Sequence, residues 1–243
     1  MMKGLNYDIY INKTSKQFDE RGFECILAIA LAVATLVLLL FFPIMGLSLC
    51  TFAYGFLCLG VKQYLIGIAS NKIQPIESVF SKWRLIVKAF CLKFAITVLS
   101  ALWTIVFIIP GIITMLNFSM ASFVMAEDDN IDALGAMVKS KKLVMGYRGQ
   151  ILIVYLCYIF VSVALLTLLG AIGVAAMYYF KITAWVPIIS MAIVYLFIML
   201  ILVVPYFELG LTNVYLTLKR EYEKNNKPKQ TSKRTYNKKI ESI

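Results

Sequence analysis

Glu208 is an acid set after the apolar stretch Leu200-Ile-Leu-Val-Val-Pro205-Tyr206-Phe207. A carboxylate deep in hydrocarbon costs on the order of 3 kcal/mol, and acids placed there often hold a proton, a cation or a polar solute. Pro205 has no N–H and so frees a backbone carbonyl one turn earlier, and a transporter can use such a pairing. A plainer reading sets Glu208 among the cytoplasmic headgroups, because a basic tail starts 11 residues later. Asn117, in the apolar run 112–126, can act as a substrate ligand or as an interhelical hydrogen bond. Pro110-Gly111 and Pro205-Tyr206 complete the candidate set as points where helices break.

Other chemistries lack their residues. With no histidine in the chain, Ser-His-Asp and Cys-His catalysis, H-E-x-x-H zinc sites and histidine proton relays are excluded. No P-loop and no G-x-S-x-G elbow is present. The acids of 127–132 fit no calcium loop, and helix initiation explains them without a ligand. Cys25, Cys50, Cys58, Cys91 and Cys157 lie in or beside apolar segments with no C-x-x-C spacing, as small packed side chains do. No catalytic residue, cofactor or metal site is expected.

The elements that carry these residues follow from composition. The 243 residues are 61% hydrophobic and 15% charged, whereas a soluble domain carries about 25% charged residues. Apolar runs of about 20 residues match a hydrocarbon layer of about 30 Å. The expected fold is all-α, a polytopic transmembrane bundle of about six helices with short interfacial amphipathic helices. Residues 1–22 form a polar N-terminal segment, 23–218 the helical domain, and 219–243 a basic tail too poor in apolar residues to order.

Within the domain, Pro43 and Gly46 divide the first apolar stretch into helices at 23–42 and 46–69. Ala28 and Ala32, and Ala30 and Ala34, sit at the spacing that lets helices approach closely. Residues 70–86 read as an interfacial helix, with Ile76, Val79, Phe80 and Trp83 on one face. The third run spans 87–109 and reverses at Pro110-Gly111. The fourth, 112–126, is short enough to be a full span or a re-entrant segment. A second amphipathic helix is expected at 130–145, begun by Asp128, Asp129 and Asp132 and ended near Gly146. Ile131, Leu134, Val138 and Met145 form its apolar stripe. A fifth span at 151–173 turns near Lys181, and a sixth runs from 182 to about 218.

Six spans put 23 of the 24 Lys and Arg on one side, counting Lys62 at the end of the second helix and Lys93 at the edge of the third, and leave Lys181 opposite. Basic loops mark the cytoplasm, so both termini are expected there. The net charge of +11 then points to anionic phospholipids at the cytoplasmic face as partners of this bilayer protein, and nucleic acid is not expected.

The stretch Leu102-Trp103, Ile108-Ile109-Pro110-Gly111 and Phe118-Ser119-Met120-Ala121, continued by Ala136, Ser140-Lys141, Gly146, Pro205-Tyr206 and Tyr215, resembles the bacterial integral membrane proteins grouped as domain of unknown function 975. It covers about residues 20 to 220. These are more distantly similar to the membrane domain of some glycerophosphodiester phosphodiesterases. The resemblance implies a multi-pass protein of the bacterial plasma membrane without a catalytic domain. Phe207-Glu208 departs from the family, where an aromatic or small residue often follows the last Pro-Tyr, so Glu208 is particular to this chain. The function expected is a non-enzymatic membrane module acting through lipid or a membrane protein partner. A small-solute or ion transporter or permease subunit is the alternative.

Overall fold

The computed structural model describes residues 7–40, 46–72, 74–180 and 185–226, and every regular element among them is helical. In chain order these are α1 (Tyr7–Leu40), α2 (Gly46–Ala69), a 3-10 helix (Ile76–Leu85), α3 (Ile86–Val106), α4 (Ile108–Phe118), α5 (Ala121–Glu127) and α6 (Ala133–Val144). They are followed by α7 (Arg148–Phe180), α8 (Trp185–Ile198), a π-helical turn (Met199–Val203) and α9 (Val204–Asn226). Four helical stretches are long and apolar enough to cross a membrane: 76–106, 108–127, 148–179 and 185–226. A shorter apolar helix covers Ala53–Ala69. The apolar parts of α1 and α2 run into residues 38–52, whose side chains lie outside the described set, as do Pro43 and Cys50.

Helix α1 starts at Tyr7, well before the expected position, but its geometry breaks at Arg21 (φ −135°, ψ 19°), at the boundary between the polar and apolar segments. Arg21 spans the break by pairing with Glu24 at 2.5 Å. Of the small-residue pairs, Ala28 and Ala32 are buried beside Cys25, whereas Ala34 faces outward.

The connector after α2 is a 3-10 helix, and its period changes the face that packs. At three residues per turn, Val79 and Lys82 share the buried side, while Trp83 is exposed and Phe80 is only partly covered. An α-helical period would have set both Lys82 and Trp83 near Val79, whereas the 3-10 period aligns Lys82 alone with it. Gly60 of α2 makes the contact possible, because a Cβ there would overlap the Val79 carbonyl. The backbones of α2 and the connector therefore touch directly.

The chain reverses at Phe107, not at Pro110-Gly111. Phe107 is extended (φ −152°, ψ 132°) and serves as the N-cap of α4, so Pro110 falls in the first turn, where a helix has no use for its N–H. Gly111 lets α4 lie against α3, since a Cβ would come 2.8 Å from Thr104 Cα. Both residues thus shape the hairpin from within its second helix.

The run 112–126 divides at Ser119 and Met120, and every residue from Met120 to Ala126 is buried. Asp132 caps α6 by accepting from the Gly135 N–H at 3.0 Å. After α6, Met145 (φ −60°, ψ 122°) and Gly146 (φ 91°) make a turn of type II geometry, closed by Tyr147 N–H to the Val144 carbonyl at 2.9 Å. The face of α6 turned to the protein carries Ala136, Met137, Ser140, Leu143 and Val144. The expected stripe residues Leu134, Val138 and Met145 are exposed.

Helix α7 runs 33 residues, past its expected end at 173. Helices α8 and α9 form one long rod with the π turn between them. A π turn widens the helix by one residue and accommodates Pro205, which cannot donate to a carbonyl one turn back. The helix continues to Asn226, so the first residues of the expected tail are ordered, with Tyr222 packed on the core. Residues 181–184 and 227–243 lie outside the described residues.

Candidate functional site

The core gathers around α2. Its last two turns meet the 3-10 helix, α5, α9 and the start of α1, burying Leu59, Leu65 and Ile68 of α2 with Phe123, Leu209 and Tyr215. Lys62 lies in the middle of this packing, seven residues before the end of α2, or about 10 Å along the helix. Its side chain is 8% exposed, and Nζ donates to Glu208 Oε2 at 2.9 Å. Nζ also sits 4.0 Å from the centre of the Phe123 ring, where the ring's negative face attracts a cation. Glu208 is 28% exposed.

Phe123 stacks on Tyr215 with ring centres 5.2 Å apart. The Tyr215 hydroxyl donates to Glu127 Oε2 at 2.7 Å, and Lys219 Nζ donates to the same oxygen at 2.6 Å. A continuous line of polar and aromatic contacts thus runs from Glu208 through Lys62, Phe123 and Tyr215 to Glu127 and Lys219.

The pair forms part of the wall of a cavity of about 880 Å³, a volume in the range of small-molecule sites. The cavity lies between α2, α3, the α4–α5 segment and α9. Helix α3 contributes Lys93, Thr97 and Ser100, which share one face at steps of four and three residues. Lys93 Nζ stands 5.5 Å from the Tyr54 ring centre and has no carboxylate partner among the described residues. Ser100 is buried, and its Oγ has no hydrogen-bond partner among the described residues. Ser119 and Ser122 line the α4–α5 side. Two lysines against one carboxylate leave the lining with an excess positive charge. At the rim, Tyr54, Phe94 and Met115 are exposed, so the cavity opens through apolar surface.

The other candidates are elsewhere. Tyr206 lines a separate apolar cleft of about 510 Å³ between α1, α7 and α9, with its ring edge on Phe18 at 5.5 Å. Pro205 is buried behind the π turn. Asn117 is absent from the cavity lining; its carbonyl accepts from Ser140 Oγ at 2.7 Å, joining α4 to α6, while its side-chain Oδ1 is buried without a partner among the described residues. Pro110 and Gly111 serve the α3–α4 contact. Of the six candidates, Glu208 alone borders the polar cavity.

The acids of 127–132 have structural partners. Glu127 holds Tyr215 and Lys219, Asp129 holds Lys82, Asp128 accepts from the Asn130 N–H, and Asp132 caps α6. No group of three or more His, Cys, Asp or Glu suited to a metal forms among the described residues. The four described cysteines are free. At the basic end of the bundle, a hydrogen bond to Glu221 raises the Tyr147 hydroxyl above the usual phenol range, and burial followed by the nearby Arg220 lowers the Lys13 ammonium.

Lys62 and Lys93 are the charged cavity-lining residues absent from the sequence candidates. In the sequence both count with the basic loops as orientation signals, yet both line the cavity. A lysine within the run Gly46–Ala69 carries the same signal as Glu208, an ionisable group where hydrocarbon is expected. Ser100 carried no such signal, because serine is ordinary in membrane helices. No family model, curated protein or solved structure matches the chain.

Proposed function

We propose that this chain is a non-enzymatic module of the bacterial plasma membrane that acts by engaging lipid at the cavity beside Lys62 and Glu208. The observation that carries this reading is a polar cavity with excess positive charge, built within apolar helices and opening through an apolar rim. Such an opening admits molecules from the bilayer plane. The chain's lack of histidine and the structural use of its acids between 127 and 132 support a binding role over catalysis. Six spans and cytoplasmic termini belong to the same reading, supported by the basic residues of the N-terminal segment, the 3-10 connector, α6 and the tail. The resemblance to domain of unknown function 975 rests on the motif residues, of which Gly111, Ser140 and Gly146 make backbone or interhelical contacts here.

Purified full-length chain in phosphatidylglycerol vesicles is expected to show no turnover of phospholipid or glycerophosphodiester. Sustained, enzyme-proportional hydrolysis would remove the reading. For orientation, an impermeant thiol reagent on intact cells is expected to miss a cysteine introduced in the tail; labelling it would reverse the topology.

A transporter is the second reading, favoured by the π turn and Pro205 immediately before Glu208, since π turns recur where helices serve function. Solute flux in proteoliposomes, compared between wild type and Glu208→Gln, discriminates the two. Flux that the substitution leaves unchanged rejects a transport role for Glu208.

A further inference from the structure

We infer that the cavity is a binding site for the phosphate of an anionic phospholipid, held by Lys93 and Lys62, with Glu208 as an internal counter-ion that the phosphate displaces. This inference rests on the lipid-engaging reading above and specifies its ligand chemistry. Three observations carry it.

The first is charge. Lys93 faces the cavity without a carboxylate partner among the described residues, and Lys62 spends its charge on Glu208. The lining therefore has one cation in excess, which a phosphodiester would neutralise. Lysine binds phosphate as a point charge with several donors.

The second is the supply of neutral donors. Thr97 and Ser100 follow Lys93 along the same face of α3, and the Ser100 hydroxyl is buried, part of the lining and without a partner among the described residues. A buried hydroxyl without a partner costs free energy until a ligand satisfies it. Phosphate oxygens accept from hydroxyls and ammonium groups alike.

The third is the route in. Tyr54, Phe94 and Met115 are exposed at the rim, and Phe90 and Phe118 continue the apolar wall inward. An acyl chain can lie along this surface while the headgroup sits at the lysines; a free phosphate ion gains nothing from it.

The arrangement also gives Glu208 a part. Its carboxylate keeps the buried Lys62 paired in the empty site, avoiding the cost of a lone charge. A phosphate reaching Lys62 competes with that carboxylate, so Glu208 weakens the ligand it helps to accommodate. Neutralising Glu208 should therefore tighten binding.

The test uses the full chain in a zwitterionic detergent, titrated with fluorescent phosphatidylglycerol and challenged with unlabelled competitors. Unlabelled phosphatidylglycerol is expected to displace the probe, with phosphatidylcholine and glycerol phosphate much weaker. Lys93→Ala is expected to weaken binding about fivefold, the size of one lysine–phosphate contact at a membrane surface. Glu208→Gln is expected to strengthen it severalfold, and the control Lys141→Ala on the exposed side of α6 to leave it unchanged. Melting temperatures measured alongside show that each variant is folded. Equal displacement by phosphatidylcholine, an unaltered affinity in folded Lys93→Ala, or weaker binding by folded Glu208→Gln would each overturn the inference. Glycerol phosphate competing as well as the lipid would overturn the lipid source. These failures differ from failure of the underlying reading, which is seen as turnover and not as loss of headgroup preference.

Discussion

The helices α7 and α8 and the segment α4–α5 are all apolar, yet they treat their side chains in opposite ways. Within the most apolar 18 residues of 108–127, 56% are buried inside the protein; within the most apolar 18 residues of 148–179 and of 185–226, 6% are. The least buried helices are the most apolar. In water this order would be reversed, because burial is where apolar side chains gain most. In lipid the tails solvate leucine and phenylalanine as well as a protein core does, so apolarity gives no reason to pack inward. Burial instead follows small residues and polar contacts. The packed region holds Gly60 against the connector, Ser140 on the Asn117 carbonyl and Lys62 on Glu208. The α7–α8 hairpin has fewer such devices, among them the Ser162–Tyr195 hydroxyl contact at 2.7 Å and Gly173 against Met191.

If that contrast is right, single changes should differ in cost by region more than by chemistry. The largest effect is expected for Lys62→Ala, which strands the Glu208 carboxylate and should cost about 3–5 kcal/mol. The double change Lys62→Leu with Glu208→Leu should recover most of the loss. Chemical denaturation in mixed micelles measures both, and a double variant no better than the single would remove the ion pair as the cause. Gly60→Ala comes next. Its methyl would meet the Val79 backbone, which cannot rotate away, and a loss of about 2–3 kcal/mol is expected in the same assay. A neutral result would mean the α2–connector contact is looser than the geometry shows. The smallest effect is expected in the hairpin, where a Cβ on Gly170 meets nothing within 4 Å. Gly170→Ala should be neutral or stabilise by up to about 1 kcal/mol, through backbone entropy alone. A marked loss would show that this face packs against something, and crosslinking would then identify it.

Particular residues show how far the sequence could be read. The break after the polar N-terminal segment, the Asp132 cap, the Gly146 turn and the isolation of Glu208 in apolar surroundings each depend on a local rule about charge or backbone freedom. Where two local rules competed, the expectation failed. Pro110-Gly111 suits a reversal, but proline also suits a first helical turn, and the extended Phe107 one turn earlier decides between them. The connector's apolar spacing suits an α-helix, but it winds as a 3-10 helix that buries Lys82 beside Val79, while Trp83 stays exposed as an interfacial tryptophan does. The stripe on α6, expected as the face of an interfacial helix, is directed away from the protein at Leu134, Val138 and Met145, while Ala136, Met137, Ser140, Leu143 and Val144 pack inward.

By itself the sequence determined the solvent and the class of fold: charge is too scarce and apolar runs too long for anything but helices suited to lipid. It determined that Glu208 needed an explanation. The tertiary structure alone decided that the explanation is Lys62, 146 residues away along the chain, and that Lys93 and Ser100 face the same cavity. Periodicity reports which residues share a face of one helix; it carries no information on which faces of different helices meet. That choice is made by close fits such as Gly60 on Val79, and those fits exist only once the chain is packed.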